Sequence, residues 1–406
     1  MSGNTTIPGP HGTTISFSVS GSVTQAVAAA FATELANLNN AGKLEVVEVK
    51  IKGGKIAVPV PKPGKTLELV VTGGTAGQTA TLDLTSKDGN PFIINESAEN
   101  LVVNASADPN VFSTGSGAVT YFGGAANGIV AAGAGAGNQY FQALGKGGGD
   151  YAIAYSGGNN TVWASSGNDL ITPGSGNNLV GLGSGNDTVV ATGTDTILAG
   201  TGNATVFGGT TDLVFGNSGS LLFVGGASSV SGATVVGSTG AETLFGGGGS
   251  GLFLVGTGSF LMANTGGSDT IVAGAGASSV TAIDNPGGSI VLFSGTDGNQ
   301  LIAGAGNETL NALGTSGANT FWAGSGADSL IGGSGANVFA FVAGGGSVGG
   351  NDTIGNWTAK DTLALLGYTA HDIKQHTVHG SDVIKLSDGT KITIANVPHI
   401  TNIVHS

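Results

Sequence analysis

The stretch Asn159 to Gly209, NNTVWASSGNDLITPGSGNNLVGLGSGNDTVVATGTDTILAGTGNATVFGG, decides how the chain is read. It falls into the units NNTVWASSG, NDLITPGSG, NNLVGLGSG, NDTVVATG, TDTILAGTG and NATVFGG. Each opens on a polar pair, continues as a short β-branched or aromatic run, and closes on small residues with glycine. A unit of roughly nine residues cannot bury its own apolar face, so stacked neighbours must supply the core, and the period predicts a β-solenoid. Val162, Leu170, Leu179, Val189, Ile197 and Val206 are the expected inward ladders. Asn and Thr at the unit starts are expected outside or in turns, bonding from coil to coil.

Outward from this stretch the same logic holds between about residues 96 and 350, as in NVFSTGSG, SDTIVAGAG, ANTFWAGSG and ADSLIGGSG. Residues 1–95 have another texture. TTISFSVS (Thr13 to Ser20) alternates like a strand, and a helix is expected over 22–41, with Ser22 as N-cap and Gly42 closing it. Val23, Val27, Phe31, Leu35 and Leu38 fall on one face of that helix. Four alternating runs between Leu44 and Leu84 complete a small N-terminal β-rich domain. Residues 351–406 regain charge, carry a hairpin signal at Ser387-Asp388-Gly389, and are expected to cap the open end of the stack. The fold class is therefore all-β.

Composition narrows the function. Glycine makes up 77 of 406 residues, yet 40% of the chain is hydrophobic and 9% charged, which suits a packed structure better than disorder. There is no arginine, and between Lys87 and Lys360 the one basic residue is Lys146. With a formal net charge of −13, nucleic acid and anionic lipid are excluded as partners. No cysteine is present, so disulfides and thiol chemistry are absent. The apolar segment near Ala26 to Ala36 is short and holds Glu34, so no transmembrane segment is expected. The missing basic residue before Lys43 argues against a Sec leader.

The units SGNDLI (Ser166 to Ile171), GSGNDTV (Gly183 to Val189) and VGGNDTI (Val348 to Ile354) resemble the RTX nonapeptide repeat. The run DTIGNW, DTLALLGY and LSDGTKITIANV is similar to the segment that follows such arrays in type I secreted proteins. The resemblance implies a β-roll, calcium in the turns, an uncleaved C-terminal export signal, and an extracellular or cell-surface location; a cytoplasmic location is the alternative. In the family an aspartate at the sixth position of each unit ligates calcium between adjacent coils. Asp169 and Asp187, 18 residues apart, are the first candidate metal pair, and Asp195 and Asp212, 17 apart, a second. Elsewhere the position holds Ala204, Leu221, Gly251, Asn319 or Asn337, and Glu242, Asp269, Glu308 and Asp328 find no acid at that spacing. Calcium takes six to eight oxygens, so one or two Ca2+ ions are expected and no other cofactor.

Catalytic constellations are not apparent. No histidine lies between His11 and His371, and nucleophile and base pairs of the familiar kinds cannot be assembled without Cys, His or Arg. His371, His376 and His379 fit no zinc spacing. Trp163 and Trp322 occupy apolar slots and are expected in the packed ladders. The sequence thus predicts a non-enzymatic, self-associating protein: a surface layer, adhesive fibre or biofilm-matrix component, with cell-surface polysaccharide as a candidate partner. The alternatives are a cytoplasmic β-solenoid filament, a calcium-responsive secreted RTX protein and a polysaccharide-active enzyme.

Overall fold

A computed structural model describes residues 2–84, 88, 90–105, 110–124, 127–143, 149–209, 211–226, 232–263, 267–274, 280–283, 289–295, 298–344 and 349–406. It is 49% strand and 7% helix, the strands stacking in parallel as a β-solenoid. Lys146 and Val348 lie outside the described residues. The chain divides into two compact units, Met1–Asp212 and Leu213–Ser406.

In the first unit successive strands feed two parallel sheets alternately. The first sheet runs from Leu44–Ile51 through Thr66–Gly73, Tyr151–Tyr155 and Asn186–Val190 to Asn203–Phe207. The second runs from Gly54–Ile56 through Thr79–Leu84, Gln139–Ala143 and Asn177–Gly181 to Thr194–Leu198. Strand side chains alternate in direction, so one residue in two points inward and stacks on its equivalent in the next coil. Ile153, Ile171, Val189 and Val206 form such a column in the first sheet, and Phe141, Val162, Val180 and Ile197 in the second. All are at most 1% exposed, and each buried Val or Ile contributes about 1.5–3 kcal/mol.

Leu170 and Leu179 do not join these columns. The second residue of each opening pair, Asp169 or Asn178, already faces inward, so the next inward slot falls on Ile171 or Val180. A one-residue change of phase reverses every side chain in a strand. Trp163 and Trp322 are outward and half-buried for the same reason, the inward slots being Val162 and Phe321. Trp163 lies against Gly181 of the following coil, where a Cβ would meet the indole at 2.2 Å.

Parallel pairing begins at Leu44, inside the segment expected to form a separate domain ending at residue 95. Leu44 is opposite Thr66 and Glu68 opposite Phe92, in the sheet that later holds Ile171. These early coils have longer connections than the nine-residue units, which hid them among ordinary strands.

The residues before Leu44 cover the outside of that sheet. Ser2–Pro8 and Thr14–Ser20 pair antiparallel and lead into helix α1, Ser22–Asn40. Gly21, at φ 90°, precedes the helix, which makes Ser22 its first residue and not its cap. Gly42, at φ 64°, ends it, and the Lys43 N–H returns to the Leu38 carbonyl at 2.8 Å. Phe17 and Phe31 pack on Phe112 and Phe92, with ring centroids 4.0 and 5.3 Å apart in the pairs Phe17–Phe112 and Phe31–Phe92. Glu68 shares this outer side of its strand with Val70. It is fully buried, neither carboxylate oxygen has a hydrogen-bond partner, and burial pushes its pKa up to about 8.

The second unit has a sheet from Leu221–Val224 to Val280–Ile283 and a longer one from Leu213–Phe215 to Asn351–Gly355 and Lys391–Ile394. A third joins Gln300–Ile302, Thr320–Trp322, Val338–Val342, Thr362–Leu366 and Ile403–His405. The C-terminal segment therefore supplies coils of its own before turning back. Ser381–Leu386 runs antiparallel to both Ile373–Val378 and Lys391–Ile394, with the expected turn at Gly389, φ 96°.

Candidate functional site

The polar pairs that open each unit place their two side chains on opposite sides of the strand. The outer member accepts a hydrogen bond from the coil that follows: Asn168 Oδ1 takes the Asn186 N–H at 2.9 Å, and Asn159 Oδ1 takes that of Asn177 at 2.9 Å. The inner member accepts one from the coil before: Asp169 Oδ1 takes the Tyr151 N–H at 2.7 Å, and Asn178 Oδ1 takes that of Asn160 at 2.8 Å. Backbone N–H groups alternate in direction along a strand, so a dipeptide with an acceptor on each residue satisfies donors from both neighbouring coils.

This ladder brings together both sequence-predicted pairs. Asp169 donates its N–H to Asp187 Oδ1 at 3.0 Å, and Asp195 donates to Asp212 Oδ1 at 3.2 Å. All four side chains are at most 3% exposed. Asp169 and Asp187 belong to the first sheet, whereas Asp195 sits in the second, where Asn178 Nδ2 reaches its Oδ1 at 2.6 Å. Burial raises the pKa of every one. Asp169 reaches about 6, with the Asp187 and Asp150 charges adding to the rise and the Tyr151 N–H opposing it. Asp195 also reaches about 6, chiefly through desolvation and against the Asn178 amide.

Each of the two pairs leaves one buried carboxylate oxygen for a cation. Asp169 keeps one buried oxygen, Oδ2, outside any hydrogen bond, the Ser165 N–H only weakly favouring its charge. Asp187 stands one coil away, so a cation there would meet carboxylates from two coils and relieve a desolvated charge. At the second pair Asp195 Oδ2 is likewise buried without a hydrogen-bond partner, both oxygens of Asp212 are occupied, Oδ1 by the Asp195 N–H and Oδ2 by the Gly209 N–H at 2.6 Å, and the Asn178 amide donates to Asp195 Oδ1 at 2.6 Å. Beside the first pair the turn carbonyls already accept backbone hydrogen bonds, Ser165 O from Ser184 at 3.2 Å and Gly183 O from Thr201 at 2.9 Å. The Asp169–Asp187 corner is the better of two close candidates: the Asp150 charge adds to it, whereas the Asn178 amide already stabilises Asp195. Beside it opens a depression of about 400 Å3 whose rim includes Asn127, Asp150 and Asn168 of the outer ladder.

A fixed spacing of 17 or 18 residues missed further rungs. Glu308 donates its N–H to Asp328 Oδ1 at 3.0 Å and Asp328 to Asp352 Oδ1 at 3.0 Å, while Asp269 Oδ1 takes the Gly251 N–H at 2.7 Å at the usual 18 residues, where glycine leaves no acid pair to find. In the third sheet the series runs Asn299, Asn319, Asn337, Asp361. The last coils are 20 and 24 residues long, and the ladder follows strand register where the sequence count fails. Desolvation lifts Asp352 to about 7. Among the described residues no three acidic or histidine side chains converge on one point, and His371, His376 and His379 are exposed.

The RTX calcium-binding nonapeptide repeat family matches four copies in the chain, over residues 155–189, 264–282, 302–339 and 313–346. No curated protein matches it. The first copy spans Asp169 and Asp187 together.

Proposed function

For a chain of RTX-type calcium-binding repeats folded as a β-solenoid, we propose a structural, self-assembling role without catalysis. One observation carries this reading: the inward polar side chains that could have formed a reaction centre are committed to coil-to-coil hydrogen bonds. A carboxylate held by a backbone N–H in a stacked array serves the array, and neighbouring carboxylates follow one another along the stack instead of meeting across a cleft. RTX repeats are typical of secreted proteins, and no described helix is long and apolar enough to cross a membrane. The working place is accordingly the cell surface or an extracellular matrix, as a layer, fibre or biofilm component. Cell-surface polysaccharide is its candidate partner.

Two measurements test this. Fractionation of the native host should place the protein in the medium or on the surface; recovery in the cytoplasm would transfer the role to an internal filament. Electron microscopy of concentrated protein should show assemblies larger than one chain.

A second reading is favoured by the unpartnered Asp169 Oδ2: calcium completes the Asp169–Asp187 corner and orders the repeats on export. Circular dichroism with calcium and with chelator separates the two. A large gain of β signal on adding calcium supports the responsive reading, and an unchanged spectrum supports a solenoid that stands without the ion.

A further inference from the structure

The outer face of the longer sheet in the second unit carries a column of apolar side chains, one per coil: Phe215, Val236, Leu254, Val272 and Phe293. Leu254, Val272 and Phe293 are 36–40% exposed, and Leu252 in the adjoining column is 37% exposed. Asn311 interrupts the column, and beyond it Ile331 and Gly355 are flanked by Thr309, Ser329 and Thr353. In the first unit, by contrast, the apolar outside of a sheet is covered by the chain's own hairpin and helix α1.

We propose that a second copy of this chain covers the exposed column, face to face. This inference rests on the assembling role above and assigns it a surface. Charge is the first argument. The chain carries a formal net charge of −13, which opposes association, yet among the described residues from 213 to 344 there is no basic side chain. The acids described there, Glu242, Asp269, Glu308 and Asp328, are at most 3% exposed and face the interior. Two copies of this face therefore meet without like-charge repulsion, and a charged partner would find no complement on it. Among the described residues, the edge and face charges that normally prevent sheet association are missing here.

Area is the second argument. Five strands at about 4.8 Å spacing give a face about 24 Å long, and with the adjoining column about 15 Å wide. Closing two such faces about a two-fold axis withdraws roughly 700 Å2, below the range of stable specific interfaces and in that of weak, transient contacts. The flat, regular column is self-complementary: a ridge of one residue per coil seats beside the ridge of its mate. The small area makes the association weak and reversible.

Sedimentation velocity of the full chain from about 1 to about 200 µM, with calcium and with chelator, tests the proposal. Wild type should shift from monomer to dimer or larger species across this range, and raised salt should not reverse the shift. Leu254→Glu combined with Phe293→Glu should remain monomeric throughout, with an unchanged circular dichroism spectrum. Thr353→Glu, on the polar part of the same sheet, should associate like wild type. Should the double variant lose β signal, Leu254→Thr and Phe293→Thr replace it, each expected to weaken association several-fold. Association of the double variant as tight as wild type would overturn this surface while leaving self-assembly standing. A wild-type chain that stays monomeric at every concentration would overturn both.

Discussion

The backbone N–H of Asp169 donates to the carboxylate of Asp187 one coil further on, at 3.0 Å. The geometry requires an acceptor at residue 187 but not a charge, and Asn178 performs the same task for Asn160. Asp187→Asn should therefore keep the stability of the wild type or exceed it slightly at neutral pH. Asp187→Ala leaves a buried donor unsatisfied and should cost about 1–3 kcal/mol. Urea denaturation of the three proteins decides; equal stability of the alanine and asparagine variants would remove the ladder from the account of stability.

Calcium is expected at the Asp169–Asp187 pair ahead of the Asp195–Asp212 pair. Calorimetric titration should show binding that Asp169→Asn or Asp187→Asn weakens at least about tenfold, since each removes a carboxylate from the corner. Asp212→Asn should leave it unchanged. Loss on changing Asp212 alone would move the site to the second sheet.

Glu68 should make stability depend on pH. Its pKa is about 8 when folded against 4.5 for the free side chain. The folded state thus binds the extra proton between those values. Stability falls as pH rises from about 4.5 to about 8, by about 5 kcal/mol in all, and levels off above. Glu68→Gln should flatten that dependence and raise the melting temperature at pH 8. A wild-type melting curve that stays level across this window, or falls equally in the glutamine variant, would show that Glu68 is ionised or solvated in the folded protein.

The turns demand close approach. A Cβ on Gly183 would stand 1.2 Å from the Ser165 carbonyl oxygen of the coil before, a backbone atom that cannot step aside alone. Gly183→Ala should cost at least about 2 kcal/mol. Gly157→Ala, whose nearest added contact is Ser175 Oγ at 3.5 Å, should stay within about 0.5 kcal/mol of wild type in the same denaturation experiment.

Much of this was legible from residue order. The nine-residue period predicted the stack, and the polar pair with its following β-branched run predicted Val162, Val189, Ile197 and Val206 in the core. The phase at Leu170 and Leu179 was not legible from hydrophobicity alone, because leucine fits either face; the inward asparagine or aspartate two places before the core residue sets it. The coils between Leu44 and Asn95 escaped notice because their connections are long. Stacking fixes the strand register and leaves loop length free, so Leu44 finds Thr66 as securely as Ile153 finds Ile171. The same freedom hid the series Glu308, Asp328, Asp352, whose rungs are joined by register across loops of unequal length. The division of labour between the two members of each polar pair, one reaching forward and one back, needed the structure.

That division has a consequence for how such a chain can change. Each coil hands its acceptors to both neighbours in the same pattern, so excising residues 168–185 would present Asn186 and Asp187 to the partners that Asn168 and Asp169 now hold, Asp150 and Tyr151. A deletion that takes a strand out of register breaks the hand-over. The number of strands in this protein is accordingly counted in whole coils, and duplication or loss of one complete coil is the smallest edit to the stack itself that its architecture can absorb without repair.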